Sequence, residues 1–218
     1  MRREIKEIRL EQLLPAVFRA EGVRGSKIWL TEALFRRGEL TLVEAESGAG
    51  KSSMCAYIFG ARTDFDGRIL FDGKDTATFK PADWQQIRRE SLAYLPQELS
   101  LFPELTAWEN LQLKNSLTGA VSDRRLEEWL DRLGIASKRD TPAGRMSIGQ
   151  QQRLAIIRAL CQPFDFLLLD EPVSHLDMEN NRIAAAMIAQ EAERQGAGII
   201  ATSVGNHLLL PYLNTLKL

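Results

Sequence analysis

An α/β fold is what this sequence predicts, and three segments carry the prediction. Leu40-Thr41-Leu42-Val43 is short and contains β-branched residues, the composition of a buried strand. A loop with Gly48 and Gly50 follows, and Lys51 to Ile58 then reads as a helix. Phe166-Leu167-Leu168-Leu169 is apolar throughout, as a parallel strand covered on both faces must be. Asp170 and Glu171 stand at its carboxyl end, where open α/β sheets hold their ligands.

In chain order, residues 8–18 and 27–34 suggest two strands flanking a turn at 22–26. Strand, glycine loop and helix across residues 40–58 are the context of a phosphate-binding loop. Its glycines let the backbone turn and bring N–H donors to oxygen, and the helix start adds about half a positive charge. Ser47, Gly48, Ala49, Gly50, Lys51, Ser52 and Ser53 are therefore the candidate phosphate ligands. Lys51 would reach the β- and γ-phosphates, and the Ser52 hydroxyl would ligate Mg²⁺. A lysine near the positive end of a helix dipole is hard to explain by packing. Ala45 stands where the usual phosphate loop begins with glycine, which costs little at negative φ and more at positive φ.

Gly67-Arg68-Ile69-Leu70-Phe71-Asp72-Gly73 reads as a strand ending in an Asp-Gly turn. Ser91 to Leu95 is a strand running into a Pro96-Gln97 break, and from Leu99 to Arg145 the composition turns helical. Met146-Ser147-Ile148-Gly149-Gln150-Gln151-Gln152-Arg153 opens another helix, with Leu154, Ile157 and Leu160 at helical spacing. Ser147 and the Gly149 amide then stand at a helix N-terminus, which favours an anion.

Together these segments resemble the nucleotide-binding domain of an ATP-binding cassette (ABC) ATPase, and the resemblance spans nearly the whole chain. It implies a P-loop NTPase core with a mixed sheet, a small antiparallel β subdomain, and a helical subdomain inserted over approximately residues 98–145. All of this lies within one domain covering 1–218. It implies that Asp170 holds Mg²⁺ through water, that Glu171 polarises the attacking water, and that Gln97 is a metal-contacting glutamine coupling the core to the helical subdomain. Ser147, Gly149 and Gln150 would meet the γ-phosphate of an ATP held by another subunit, giving a head-to-tail dimer with two sandwiched nucleotides. The usual signature is Leu-Ser-Gly-Gly-Gln; here Met146 and Ile148 replace the leucine and the first glycine. Ser174-His175-Leu176-Asp177 resembles the D-loop that crosses such a dimer, His175 being a surface or interface residue. The family stacks an aromatic on adenine; Phe18 is the first candidate and Trp29 the second. Phe102, Leu105 and Trp108 are candidates either for the groove that receives a membrane subunit or for internal core.

One departure bears on rate. The family has a histidine after its last long strand, here residues 198–202, and this chain has Ser203, with His207 one helical turn on. Serine donates a hydrogen bond but carries no positive charge. A slow ATPase is expected, since a lost acid–base or charge-stabilising group costs about 10² to 10⁴-fold.

The 218 residues carry a net charge of −1, so no global attraction to nucleic acid or anionic lipid is expected. Cys55 and Cys161, in expected helices, read as core thiols of a reducing compartment. The charged start predicts no secretory signal, no apolar run approaches the roughly 20 residues of a spanning helix, and Leu213 to Leu218 reads as a last strand with no regulatory extension. The resemblance places such a chain in the cytoplasm, on the cytoplasmic face of a membrane. Its partners would be an integral membrane transporter subunit and either a second copy or another ABC ATPase. The run from Leu95 to Thr106 looks most like the lipoprotein-release and macrolide-export group. A nucleotide switch acting on a membrane partner without transport is the alternative. DNA-repair and translation ABC ATPases fit less well, lacking here a long coiled coil or a second cassette.

Overall fold

The computed structural model describes residues 4–218 except 21, 22 and 24. Its elements in order are β1 (Glu7–Pro15), β2 (Glu32–Arg36), β3 (Leu40–Glu44), α1 (Lys51–Ile58), β4 (Phe65–Phe71), β5 (Lys74–Asp75), α2 (Pro81–Glu90) and β6 (Leu92–Leu95). There follow α3 (Ala107–Asn115), α4 (Asp123–Arg132), α5 (Ile148–Leu160), β7 (Phe166–Asp170), α6 (Met178–Gln195), β8 (Gly198–Ser203) and β9 (Asn214–Lys217). Strand directions are segregated: β2-β1-β4-β5 is antiparallel, and β6-β7-β8-β3-β9 pairs in parallel throughout.

Apolar alternation hidden in the continuous runs now becomes visible. Leu167, Leu169, Ile199 and Ala201 face one core with the helices α3 to α6, whereas Phe166, Leu168 and Ile200 face a second core with α1 and the antiparallel sheet. A strand covered on both faces has no polar side, which is why β7 reads as a plain apolar run. The parallel sheet thus holds the carboxyl ends of β3, β7 and β8 side by side: Leu42 pairs with Ala201, and Asp170 with Thr202.

The Asp72-Gly73 turn has φ of 50° and 77°, the two positive values a tight hairpin demands. Asp72 Oδ1 also accepts the amides of Lys6 and Glu7 at 2.9 Å each, tying the hairpin to β1. Gly67 faces the bulge in β1 at Gln12, where a Cβ would lie 2.3 Å from the Gln12 carbonyl oxygen.

Two expectations near the N-terminus change. The first strand ends at Pro15, and Ala16–Phe18 forms a 3₁₀ turn. Residues 27–30 are not strand: Ser26 Oγ accepts the amides of Ile28 and Trp29 at 3.0 and 2.7 Å, Leu30 takes a φ of 56°, and β2 begins only at Glu32. The side-chain oxygen competes with a ladder for those backbone donors. Gly22 and Arg24, in the expected turn, lie outside the described residues. Among the described residues no helix is long and apolar enough to cross a membrane. Cys55 and Cys161 are buried and free.

Candidate functional site

The first turn of α1 opens the site. Gly50 precedes it at φ 95°, and no side chain caps the helix start. Its first amides are left for an outside acceptor. Lys51, only 4% exposed, donates from Nζ to the Glu46 carbonyl at 2.8 Å and to that of Ala45 at 3.4 Å. The same Nζ lies 3.4 Å from Glu171. Ala45 keeps a negative φ and its amide donates to the Ser203 carbonyl at 3.2 Å, so the missing glycine imposes no left-handed strain.

Ser47, Gly48, Gly50, Lys51, Ser52, Ser53, Gln97 and Glu171 line one open cavity. Ser52 Oγ is 3.5 Å from Gln97 Oε1, which brings the end of β6 to the phosphate loop. Glu171 occupies a left-handed backbone (φ 50°), unusual without glycine, which turns the chain sharply after β7. Asp170 stays behind it, 1% exposed: Oδ1 accepts from the Thr202 hydroxyl at 2.8 Å, and buried Oδ2 has no partner. Thr202 Oγ1 also accepts the Glu171 amide at 3.2 Å. One threonine thereby holds the Asp170 carboxylate and the Glu171 backbone, and only its position at the polar end of β8 marks it in the sequence. Asp170 sits in a desolvated setting; burial, followed by that carboxylate's charge, pushes the Cys55 thiol well up.

The loop rests on two aromatic rings. Trp29, 2% exposed, donates its indole N–H to the Ala49 carbonyl at 3.0 Å. A Cβ on Gly50 would stand 3.1 Å from the Trp29 ring and 3.2 Å from Phe18, so both rings press on that glycine. Trp29 is therefore a pillar beneath the loop and has no free face for adenine. Phe18 is half-buried against the same glycine.

The cavity's β8 side differs from expectation. Ser203 is 1% exposed and its hydroxyl donates to the Asn206 carbonyl at 2.7 Å, closing its own turn. Val204, 45% exposed, lines the cavity where Ser203 was expected. It is the first residue past its strand, as Glu171 is past β7; that shared offset was the available signal. His207 packs its ring against Tyr212, centroids 6.1 Å apart.

Ser147, Gly149 and Gln150 do not line this cavity. Ser147 caps α5 through a reciprocal box: its Oγ accepts the Gln150 amide at 3.4 Å, and Gln150 Oε1 accepts the Ser147 amide at 3.0 Å. Gly149 is required by closeness, because a Cβ there would meet the His175 carbonyl oxygen at 3.0 Å. Buried Gln152 links the same helix to the loop after β7, with its Nε2 donating to the Pro172 carbonyl and its Oε1 near Ser174 Oγ (3.3 Å) and His175 Nδ1 (3.1 Å). His175 is exposed, and Asp177 caps α6 by accepting the Asn180 amide at 2.8 Å.

Residues 32–174 match the ABC transporter family. The chain is 31% identical over 163 residues to the ABC transporter ATP-binding protein YtrE of Bacillus subtilis (strain 168), covering 73% of this chain and 71% of that protein. It is 38% identical over 166 residues to the thiamine import ATP-binding protein ThiQ of Cereibacter sphaeroides, covering 75% and 69%. Among solved structures, the dimeric bacterial ABC transporter cassette MJ0796 superposes with a TM-score of 0.76 at 25% identity, over 90% of this chain and 87% of that one.

Proposed function

Because the chain belongs to the ABC transporter ATP-binding family, we propose that it binds and hydrolyses ATP and powers a separate membrane subunit through ATP-driven head-to-tail dimerisation. The observation that carries this reading is the division of the phosphate-binding parts. The glycine loop, Lys51, Ser52, Gln97 and Glu171 share one cavity, while Ser147 and Gly149 stand outside it at the start of α5. In this reading the second set meets a triphosphate held by another chain, either a copy or a related cassette. MJ0796 is dimeric by its description, which supports an assembly of two chains.

The geometry supports a role for each residue in this reading. Free amides of α1 and the Lys51 ammonium receive the phosphates, and Lys51 leaves Glu171 to do so. Glu171, released at the mouth of the cavity, orients a water and takes its proton. Mg²⁺ fits the donors present: the Ser52 hydroxyl, Gln97 and the unpartnered Asp170 Oδ2 are oxygen ligands. Such an ion would neutralise phosphate charge in the transition state.

Turnover is slow in this proposal, because Val204 and the internally bonded Ser203 bring no charge to the β8 side. The same feature favours a second reading, a switch that cycles slowly on a membrane partner without transport. Work takes place on the cytoplasmic face of a membrane, where the partner is reached. Glu171→Gln tests the catalytic assignment: turnover falls about 10² to 10⁴-fold while calorimetric ATP affinity is kept. Unchanged turnover would move the base elsewhere.

A further inference from the structure

The two serines that open α1 both line the nucleotide cavity, yet they meet different neighbours. Successive helix residues are turned by about 100° from one another. Ser52 Oγ stands 3.5 Å from Gln97 Oε1, whereas Ser53 Oγ accepts a hydrogen bond from Nη1 of Arg62 at 3.0 Å.

Arg62 reaches Ser53 from the far end of the helix. Gly60 takes a φ of 69° just past α1, and the Ala61 amide returns to the Ala56 carbonyl at 2.8 Å, so the chain doubles back. The Arg62 side chain then runs along α1 toward its start, with the guanidinium 5.3 Å from the Tyr57 ring centroid. Asp64 braces it. Nε donates to Asp64 Oδ1 at 2.9 Å and Nη2 donates to Oδ2, which leaves Nη1 for Ser53. That fork holds the Asp64 carboxyl below its ordinary range.

The fork borders the side of the cavity where Phe18 stands. The Asp64 carbonyl accepts the Ala16 amide at 2.9 Å and the Tyr57 hydroxyl at 3.1 Å, and Ala16–Phe18 is the 3₁₀ turn that carries the first base candidate. A second fork, Arg19 to Asp66 at 2.7 Å through each bond, ties the end of that turn to β4. Ser52 thus turns toward Gln97 and Ser53 toward the Phe18 side. A nucleotide with its base at Phe18 would bring the phosphate nearest its ribose to Ser53.

A guanidinium beside the first turn of a helix is disfavoured by the dipole. Asp64 offsets that charge, and an arriving phosphate would gain from it. The Arg62 bond also occupies a lone pair of Ser53 Oγ. The Ser53 proton is left for the Tyr57 oxygen or for the cavity, and a charged phosphate oxygen is the stronger acceptor. We propose that Arg62 is a positioning residue for the nucleotide: acting through Ser53, it aims a hydroxyl proton at the phosphate that joins the ribose. The inference rests on the function proposed above and adds to it a residue from outside the glycine loop.

Calorimetry of the full chain with ADP, which carries that phosphate and is not turned over, tests the assignment. Arg62→Gln should weaken ADP about tenfold, the scale of a hydrogen bond to a charged group. In a Ser53→Ala background the same change should cost less than about twofold, because the group it acts through is gone. Asp64→Asn breaks the fork from its other side and leaves Nη1 on Ser53, so it should lower Tm as much as Arg62→Gln does and weaken ADP less. Equal losses from Arg62→Gln in both backgrounds would make Arg62 a brace of the fold alone, and an affinity untouched by Arg62→Gln would remove it from the site. Either result overturns the proposal and leaves the ATPase reading standing. A parent chain that binds neither ADP nor ATP sinks both.

Discussion

The N-terminus of α1 has no side-chain cap and begins with a buried lysine, whereas that of α5 is closed by a reciprocal box between Ser147 and Gln150. Both carry the positive end of a helix dipole. At α1 the first turn holds no acidic residue and Lys51 Nζ lies 3.4 Å from Glu171, and in the proposed function the uncapped amides and Lys51 receive the phosphates. At α5 the cap satisfies one first-turn amide from within, and Ile148 stands 50% exposed beside it. The Ser147 hydroxyl accepts there and keeps its own proton to give. In the proposed cycle the first helix start governs whether nucleotide binds at all, and the second governs whether bound nucleotide recruits another chain.

Breaking the α1 side should have the larger effect. Lys51→Ala removes the buried cation of the cavity lining and is expected to weaken ATP binding about 100-fold, the scale of a lost charge-assisted hydrogen bond; calorimetry with ATP reads it directly. Affinity within threefold of the parent would contradict the placement of the lysine. Next comes the pillar beneath the loop. Trp29→Phe keeps the ring against Gly50 but deletes the bond to the Ala49 carbonyl, and a loss of about 1 kcal/mol corresponds to roughly fivefold weaker nucleotide binding. If Trp29 stacked on adenine instead, Phe would substitute with little change. The smallest effect on rate is expected from Ser203→Ala. It strands the Asn206 carbonyl and lowers stability by about 1 kcal/mol, while turnover stays within about twofold. A tenfold fall in turnover at unchanged Tm would return Ser203 to the reacting phosphate.

The same contrast explains what could be read in advance. Lys51 to Ile58, the β7 run and the Asp72-Gly73 hairpin were legible because each is determined locally: a glycine loop before a helix, an unbroken apolar strand, a turn needing two positive φ values. Residues 27–34 misled because Ile28 and Trp29 are apolar for packing, while Ser26 takes the amides a strand would have used. The pillar role of Trp29 and the orienting role of Thr202 depend on partners 20 and 32 residues distant, Ala49 and Asp170. No local pattern encodes such contacts. Ser203 was expected at the cavity from its place after the strand, and one hydrogen bond to Asn206 leaves Val204 there instead.

Whether one chain holds half a site is decided by the mass of Glu171→Gln with and without ATP, alone and mixed with its companion cassette if it has one, measured by light scattering on a sizing column. The account predicts a dimer that forms only with ATP and is lost when Ser147 is changed to Arg. A protein that stays monomeric at saturating ATP in both settings, or a dimer indifferent to nucleotide and to Ser147, would contradict it.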